Sequence, residues 1–245
     1  GFRKLAFTGS TEVGYQIADA AAKKLIPATL ELGGKSPIIV LDDADMEVAA
    51  NMCLLGFLFH SGQVCESGTR LFVPRSLQDE LVDRMISKIK KMVIGNQLDM
   101  ETDLGPIASQ EQLNTICRYV QIGKEEGAQL AYGGRQLTEG IYEKGFFHEP
   151  TIFINCHNQM TQVREEIFGP VLAVIKVDSF DEALDIANQT EYGLTGSVYS
   201  ETRENIQRAK VEFQVGNLYF NRKSTAAVVL QHPFGGFNMS GTDAK

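Results

Sequence analysis

Cys65 lies in Phe59-His60-Ser61-Gly62-Gln63-Val64-Cys65-Glu66-Ser67-Gly68-Thr69-Arg70, held between two glycines on a stretch between an apolar run and the strand-like Leu71-Phe72-Val73. Glycines beside a thiol let a substrate approach the backbone closely, and a thiolate is the best side-chain nucleophile near neutral pH. The residues read equally as a small buried hydrophobe in a loop. Glu31 stands in Ala28-Thr29-Leu30-Glu31-Leu32-Gly33-Gly34-Lys35. A carboxylate between two leucines, with glycines behind it, has the surroundings of a general base; the bland alternative is an edge-strand glutamate facing water. Phe7-Thr8-Gly9-Ser10 with Gly14 forms a glycine-containing turn between strand and helix. Such a turn suits either a phosphate or a simple helix cap by Ser10 or Thr11. In Arg164-Glu165-Glu166-Ile167-Phe168-Gly169-Pro170, Glu166 suits a ribose hydroxyl and Phe168 a flat ring, or the two glutamates are a solvated pair.

The elements that must position these groups alternate. A strand over residues 4–7 leads through the first turn to a helix over 15–25. A short strand over 29–32 carries Glu31, and a buried strand over 38–41 follows the glycine pair. A largely apolar helix over 46–59 delivers the chain to Cys65. Amphipathic helices begin at Ser76, with an S-x-x-D cap through Asp79, and at Ser109. Residues 133–150 read as glycine-rich loop. Strands at 171–177, 192–199 and 215–220 alternate with helices at 180–188 and 202–213, and residues 221–245 read as loop. Strands alternating with helices predict a layered α/β fold with a mainly parallel sheet.

Composition bounds the partners. The 245 residues are 43% hydrophobic and 22% charged, enough for one large domain or parts of two. A net charge of -8 disfavours nucleic acid and anionic membranes. The four cysteines (Cys53, Cys65, Cys117 and Cys156) make no C-x-x-C pair and match no zinc spacing, which predicts free thiols in a reducing, cytoplasmic setting and no metal. No apolar run reaches the ~20 residues of a membrane span. The opening Gly1-Phe2-Arg3-Lys4 reads as part of something longer.

Taken in order, these motifs, with Pro233-Phe234-Gly235-Gly236 and Ser240-Gly241, resemble the aldehyde dehydrogenase superfamily over essentially the whole chain. The resemblance implies a fold: residues 1–31 as the last strand–helix–strand of a Rossmann-like cofactor domain, and 32–245 as a three-layer α/β/α catalytic domain. It implies that Cys65 attacks an aldehyde, that hydride passes to NAD or NADP, and that Glu31 activates the water that releases the acid. Ser10 and Gly9 would meet the cofactor pyrophosphate, Gly33 would admit the cofactor, and Glu166 and Phe168 would hold the nicotinamide ribose and ring. It further implies a homo-oligomeric parent, and a fragment that turns over slowly alone.

Asn221-Arg222-Lys223-Ser224-Thr225 and the stretch from His232 to Asp243 are similar to the 1-pyrroline-5-carboxylate dehydrogenase branch, which oxidises glutamate semialdehyde in proline breakdown. In that branch a serine follows the nucleophile and Gly-Ala follows the threonine; here they are Glu66 and Ala226-Ala227. The expected substrate contacts are therefore Glu66, Ala226, Ala227 and Phe234. An anionic Glu66 facing an anionic substrate would be repulsive by about 1–4 kcal/mol. Either Glu66 points away or the substrate is another aldehyde. A non-catalytic module is the reading from another class.

Overall fold

The computed structural model describes residues 1–228 and 231–242. The chain opens with β1 (Leu5–Thr8), α1 (Thr11–Ala22) and β2 (Ala28–Glu31), and β1 and β2 pair in parallel as a separate small sheet. Next come β3 (Ser36–Val40), α2 (Met46–Leu58), β4 (Gly68–Pro74), α3 (Gln78–Ile89) and α4 (Gln110–Glu125). Then follow β5 (Gln129–Tyr132), β6 (Gln136–Leu137), β7 (Phe147–His148), β8 (Thr151–Ile154) and α5 (Thr161–Arg164). The chain continues through β9 (Val171–Val177), α6 (Phe180–Asn188), β10 (Thr195–Tyr199), α7 (Arg203–Glu212) and β11 (Asn217–Phe220).

Seven strands form one sheet in the order β11-β10-β3-β4-β9-β8-β5, parallel except for the edge strand β5. Central strands of such a sheet are covered on both faces, so they read as continuous apolar runs. Alternate residues serve the two faces. Ile38, Val40, Leu71, Val73, Leu172 and Val174 pack with α2 and α3. Ile39, Phe72, Ala173 and Ile175 pack with α4, α6 and α7. The result is the expected three-layer α/β/α arrangement.

The amphipathic helices form for the reason their spacing suggests. α3 buries Leu81, Val82, Met85 and Ile89, and α4 buries Leu113, Ile116, Tyr119 and Val120. Ser109 caps α4, its Oγ accepting from the Gln112 N–H at 3.1 Å. Ser76 does not cap α3: the Leu77 N–H bonds Pro74 O at 3.0 Å, and that turn makes Leu77 the first boundary residue. Asp79 instead accepts from Gln78 Nε2. α1 starts at Thr11, earlier than its apolar spacing suggests, and Leu25 lies beyond it, 95% exposed. The stretch expected to be loop pairs β6 with β7 as a short antiparallel ribbon. Among the described residues no helix is long and apolar enough to cross a membrane.

Candidate active site

In open parallel sheets, ligands usually bind beyond the carboxyl ends of the strands. Here the residues with chemical promise gather at the amino ends of β3, β4 and β9, where the carboxyl end of β2 meets them.

Gly33 and Gly34 make that meeting possible. A Cβ on Gly33 would strike the Glu166 carboxylate, and one on Gly34 would strike the Cys65 carbonyl oxygen. The Gly34 N–H donates to Glu166 Oε1 at 3.0 Å. The β2–β3 connection therefore touches the Cys65 loop with one glycine and the Glu166 carboxylate with the other. A third contact joins the loops directly: Gly62, at φ +74, leaves no room for a Cβ against Gly169 and Pro170.

Glu31 is 6% exposed, which removes the solvated edge-strand alternative. Its strand is stapled by the chain's last described residues. Ser240 O accepts from the Leu32 N–H at 2.9 Å, Thr242 Oγ1 accepts from the Leu30 N–H at 2.9 Å, and Gly241 bridges Glu31 in antiparallel fashion. Ser240 Oγ also donates to Gly33 O at 2.7 Å. The stretch read as a loop thus edges the small sheet, although Asp243 lies outside the described residues.

Cys65 is partly exposed, and all four cysteines are free thiols. Its thiol is pushed up to about 11, first by burial and then by the negative charges of Glu66, Glu166 and Glu31. A thiolate ready at neutral pH is therefore not what these surroundings favour; the thiol rests protonated. The carbonyl of Glu66 accepts from Ser224 Oγ at 3.2 Å and from Thr195 Oγ1 at 3.4 Å, which fixes the backbone just beyond the thiol.

Glu66 does not point away into water: it is 8% exposed, and its Oε1 accepts from the Ala226 N–H. Burial raises its pKa against the lowering effects of that bond and of Arg222 and Lys223. Ala227 follows Ala226, half-buried.

Glu165 and Glu166 part company. Glu165 accepts from Tyr119 Oη at 2.5 Å, while Glu166 turns inward to Gly34, its pKa raised by burial. Phe168 is 40% exposed in a left-handed conformation, φ 57. Gln112 Nε2 holds that turn by donating to the carbonyls of Ile167 at 2.7 Å and Phe168 at 2.9 Å.

Ser10 and Phe234 lie on segments with anchors of their own. Ser10 is exposed and caps α1, its Oγ accepting from the Val13 N–H at 3.3 Å. Beside it, the Gly9 N–H donates to Glu31 O at 3.0 Å, which ties the turn to the Glu31 strand. Phe234 is half-buried on a segment anchored at β11, where Asn217 Nδ2 donates to Pro233 O at 2.7 Å.

Sequence reasoning missed a pair of buried cations behind the glycines. Arg70, 1% exposed, donates to Lys35 O at 2.8 Å and Ala187 O at 3.1 Å. Lys35 is 2% exposed, and burial followed by the Arg70 charge lowers it to about 7. The signal available was a lysine directly before a buried strand, Lys35-Ser36-Pro37-Ile38.

The aldehyde dehydrogenase family model matches residues 1–245. This chain belongs to the aldehyde dehydrogenase family. It is 46% identical to the 1-pyrroline-5-carboxylate dehydrogenase of Bacillus licheniformis, covering 98% of this chain and 47% of the relative. It is 43% identical to the Bacillus subtilis protein of the same name, over 99% of this chain and 47% of that one. Among solved structures, it is similar to a 1-pyrroline-5-carboxylate dehydrogenase from Thermus with bound NAD, at TM-score 0.93 and 42% identity, over 98% of this chain and 47% of that one. It also resembles a betaine aldehyde dehydrogenase from Staphylococcus aureus in complex with NAD+, at TM-score 0.95 and 38% identity, over 99% of this chain and 48% of that one. The chain thus spans about half the length of the relatives it matches.

Proposed function

We propose that the full-length protein carrying this chain oxidises an aldehyde to a carboxylic acid with NAD or NADP, through a covalent intermediate on Cys65. The observation that carries this reading is the double contact of the glycine pair: Gly34 against the Cys65 carbonyl and Gly33 against the Glu166 carboxylate, two residues after Glu31. Those contacts support a single centre with a nucleophile, a base and a cofactor-facing carboxylate.

Cys65 Sγ adds to the aldehyde carbon once its proton has left, giving a thiohemiacetal. The Cys65 backbone N–H supplies one oxyanion donor. Loss of the carbon-bound hydride together with the hydroxyl proton would convert the adduct to a thioester. Glu31, buried at the end of the strand whose following connection touches the Cys65 loop, takes a proton from the water that hydrolyses it. A thiol held near 11 needs a base or a nearby positive charge before it can attack at neutral pH. The residues present fit a nicotinamide cofactor: an inward carboxylate at Glu166, a half-open ring at Phe168, and glycines packed directly against Glu166 and Cys65 with no side chain between them. When bound, that group accepts the hydride. Gly9 and Ser10 serve its pyrophosphate end from residues 1–31, which we assign to a cofactor domain, with residues 32–245 as the catalytic domain.

Two substrate readings divide on one residue. The relatives' names support glutamate semialdehyde, formed from 1-pyrroline-5-carboxylate, with Ala226, Ala227 and Phe234 lining its site. The buried Glu66 carboxylate supports an aldehyde with no carboxylate of its own. The test common to both uses the full-length protein: aldehyde-dependent NAD reduction that disappears in Cys65→Ala supports the function. Reduction that persists in Cys65→Ala contradicts it.

A further inference from the structure

The loop after β11 presents a backbone N–H to the side chain of the residue that follows Cys65. Tyr199 Oη donates to Arg222 O at 2.7 Å and fixes the start of the loop. The Arg222 guanidinium lies 4.5 Å from the Tyr219 ring centroid and donates to the carbonyls of Thr225 at 3.0 Å and Ala226 at 3.2 Å. Ala226 is held left-handed at φ 67, a conformation that a residue with a Cβ rarely adopts. Strain that persists at such a site is held by its surroundings and points to a role. With Arg222 and Lys223 at hand, the oriented N–H has the chemistry of a carboxylate receptor.

Its occupant is the chain's own. Glu66, the residue after Cys65, gives Oε1 to the Ala226 N–H. The Glu66 backbone is clamped to the same loop through Ser224. Glu66 Oε2 is buried with no hydrogen-bond partner among the described residues, and so is the Tyr219 hydroxyl. Resting on the aldehyde dehydrogenase reading above, we infer that Glu66 fills the carboxylate receptor of this site, so that the substrate class is an uncharged aldehyde with no terminal carboxylate. Occupation of the Ala226 N–H, a donor already in use, excludes a substrate carboxylate whether Glu66 is ionised or protonated. Ionisation adds repulsion to that exclusion.

The experiment compares two aldehydes of equal chain length, pentanal and glutarate semialdehyde, on the full-length protein with NAD. The wild type should favour pentanal in kcat/KM. Glu66→Ser, which frees the N–H and opens space, should shift the ratio ~10–100-fold toward the semialdehyde. Glu66→Gln keeps the shape and the acceptor, so its shift should be smaller. A second readout needs no turnover: glutarate should raise the Tm of Glu66→Ser and leave that of the wild type unmoved. Wild type that prefers glutarate semialdehyde, or that binds glutarate as tightly as Glu66→Ser does, overturns the inference. Absence of turnover with either aldehyde would sink the oxidation reading, and the glutarate result would still decide the role of Glu66.

Discussion

Ile38, Ile39, Leu71 and Phe72 sit fully buried in regular parallel ladders, with apolar side chains on both sheet faces. At the amino ends of the same strands the buried groups are Glu31, Glu66, Lys35 and Arg70, and nearby backbone turns left-handed at His60, Ser61, Phe168 and Ala226. The strands are stabilised by burial of apolar area, which is non-directional. The loops between them are fixed instead by directional bonds: Ser240 on Gly33, Gln112 on Phe168, and Ser224 and Thr195 on Glu66. Buried charge and bent backbone are costly, so their concentration in one region fits the active site proposed above better than a source of stability.

The largest break in that contrast is chemical. Cys65→Ala should lower aldehyde-dependent NAD reduction by the full-length protein by about a thousandfold or more while leaving its Tm within a few degrees. Gly34→Ala comes next. It pushes a methyl into the Cys65 carbonyl and should cost roughly a hundredfold in kcat/KM by displacing the nucleophile, read in the same assay.

The protonation of Cys65 offers a sharper probe than loss of activity. With its thiol pushed up to about 11, alkylation of Cys65 should rise about tenfold per pH unit from roughly pH 7 to 10, followed site by site by mass spectrometry. Glu66→Gln removes the largest of the negative charges acting on it and should move that profile to lower pH.

Lys35 tests the price of a buried charge. Its pKa is lowered from 10.5 to about 7, so the unfolded chain binds more protons between those values and stability rises with pH across that window. Below it the penalty is present in full. Lys35→Met should therefore stabilise the protein against denaturant by about 1–4 kcal/mol at pH 6 and by less at pH 10. The smallest effect belongs to Ala226→Gly, which relieves the left-handed strain but adds chain entropy to the unfolded state. The net change in unfolding free energy should stay within about 1 kcal/mol.

How much of this was legible follows the same division. The apolar runs of β3, β4 and β9 and the periodicity of α3 and α4 state the layered fold, because side-chain period and burial are local consequences of sequence. The motifs at Glu31, Cys65 and Glu166 were legible as candidates, and the structure brings them together through two glycines whose neighbours are remote in sequence. What stayed hidden depended on such remote partners. Ser240 fastens Gly33 across more than two hundred residues, and no spacing rule reports it. Ser76 carries a capping pattern, but the turn after Pro74 places Leu77 at the boundary. The direction of Glu66 is open in the sequence, and the position of Ala226 decides that it points inward. The cations Lys35 and Arg70 were missed because charged residues are expected at the surface unless paired.

The proposed roles of Cys65 as nucleophile and Glu31 as base meet in one measurement. The Glu31→Gln variant of the full-length protein would be mixed with NAD and an uncharged aldehyde, quenched in acid, and digested for mass spectrometry. An acyl group is expected on Cys65, accumulating because the water that should remove it is no longer activated, and absent when NAD is omitted. An unmodified Cys65 under turnover conditions, or an acyl group on Cys53, Cys117 or Cys156 instead, would contradict it.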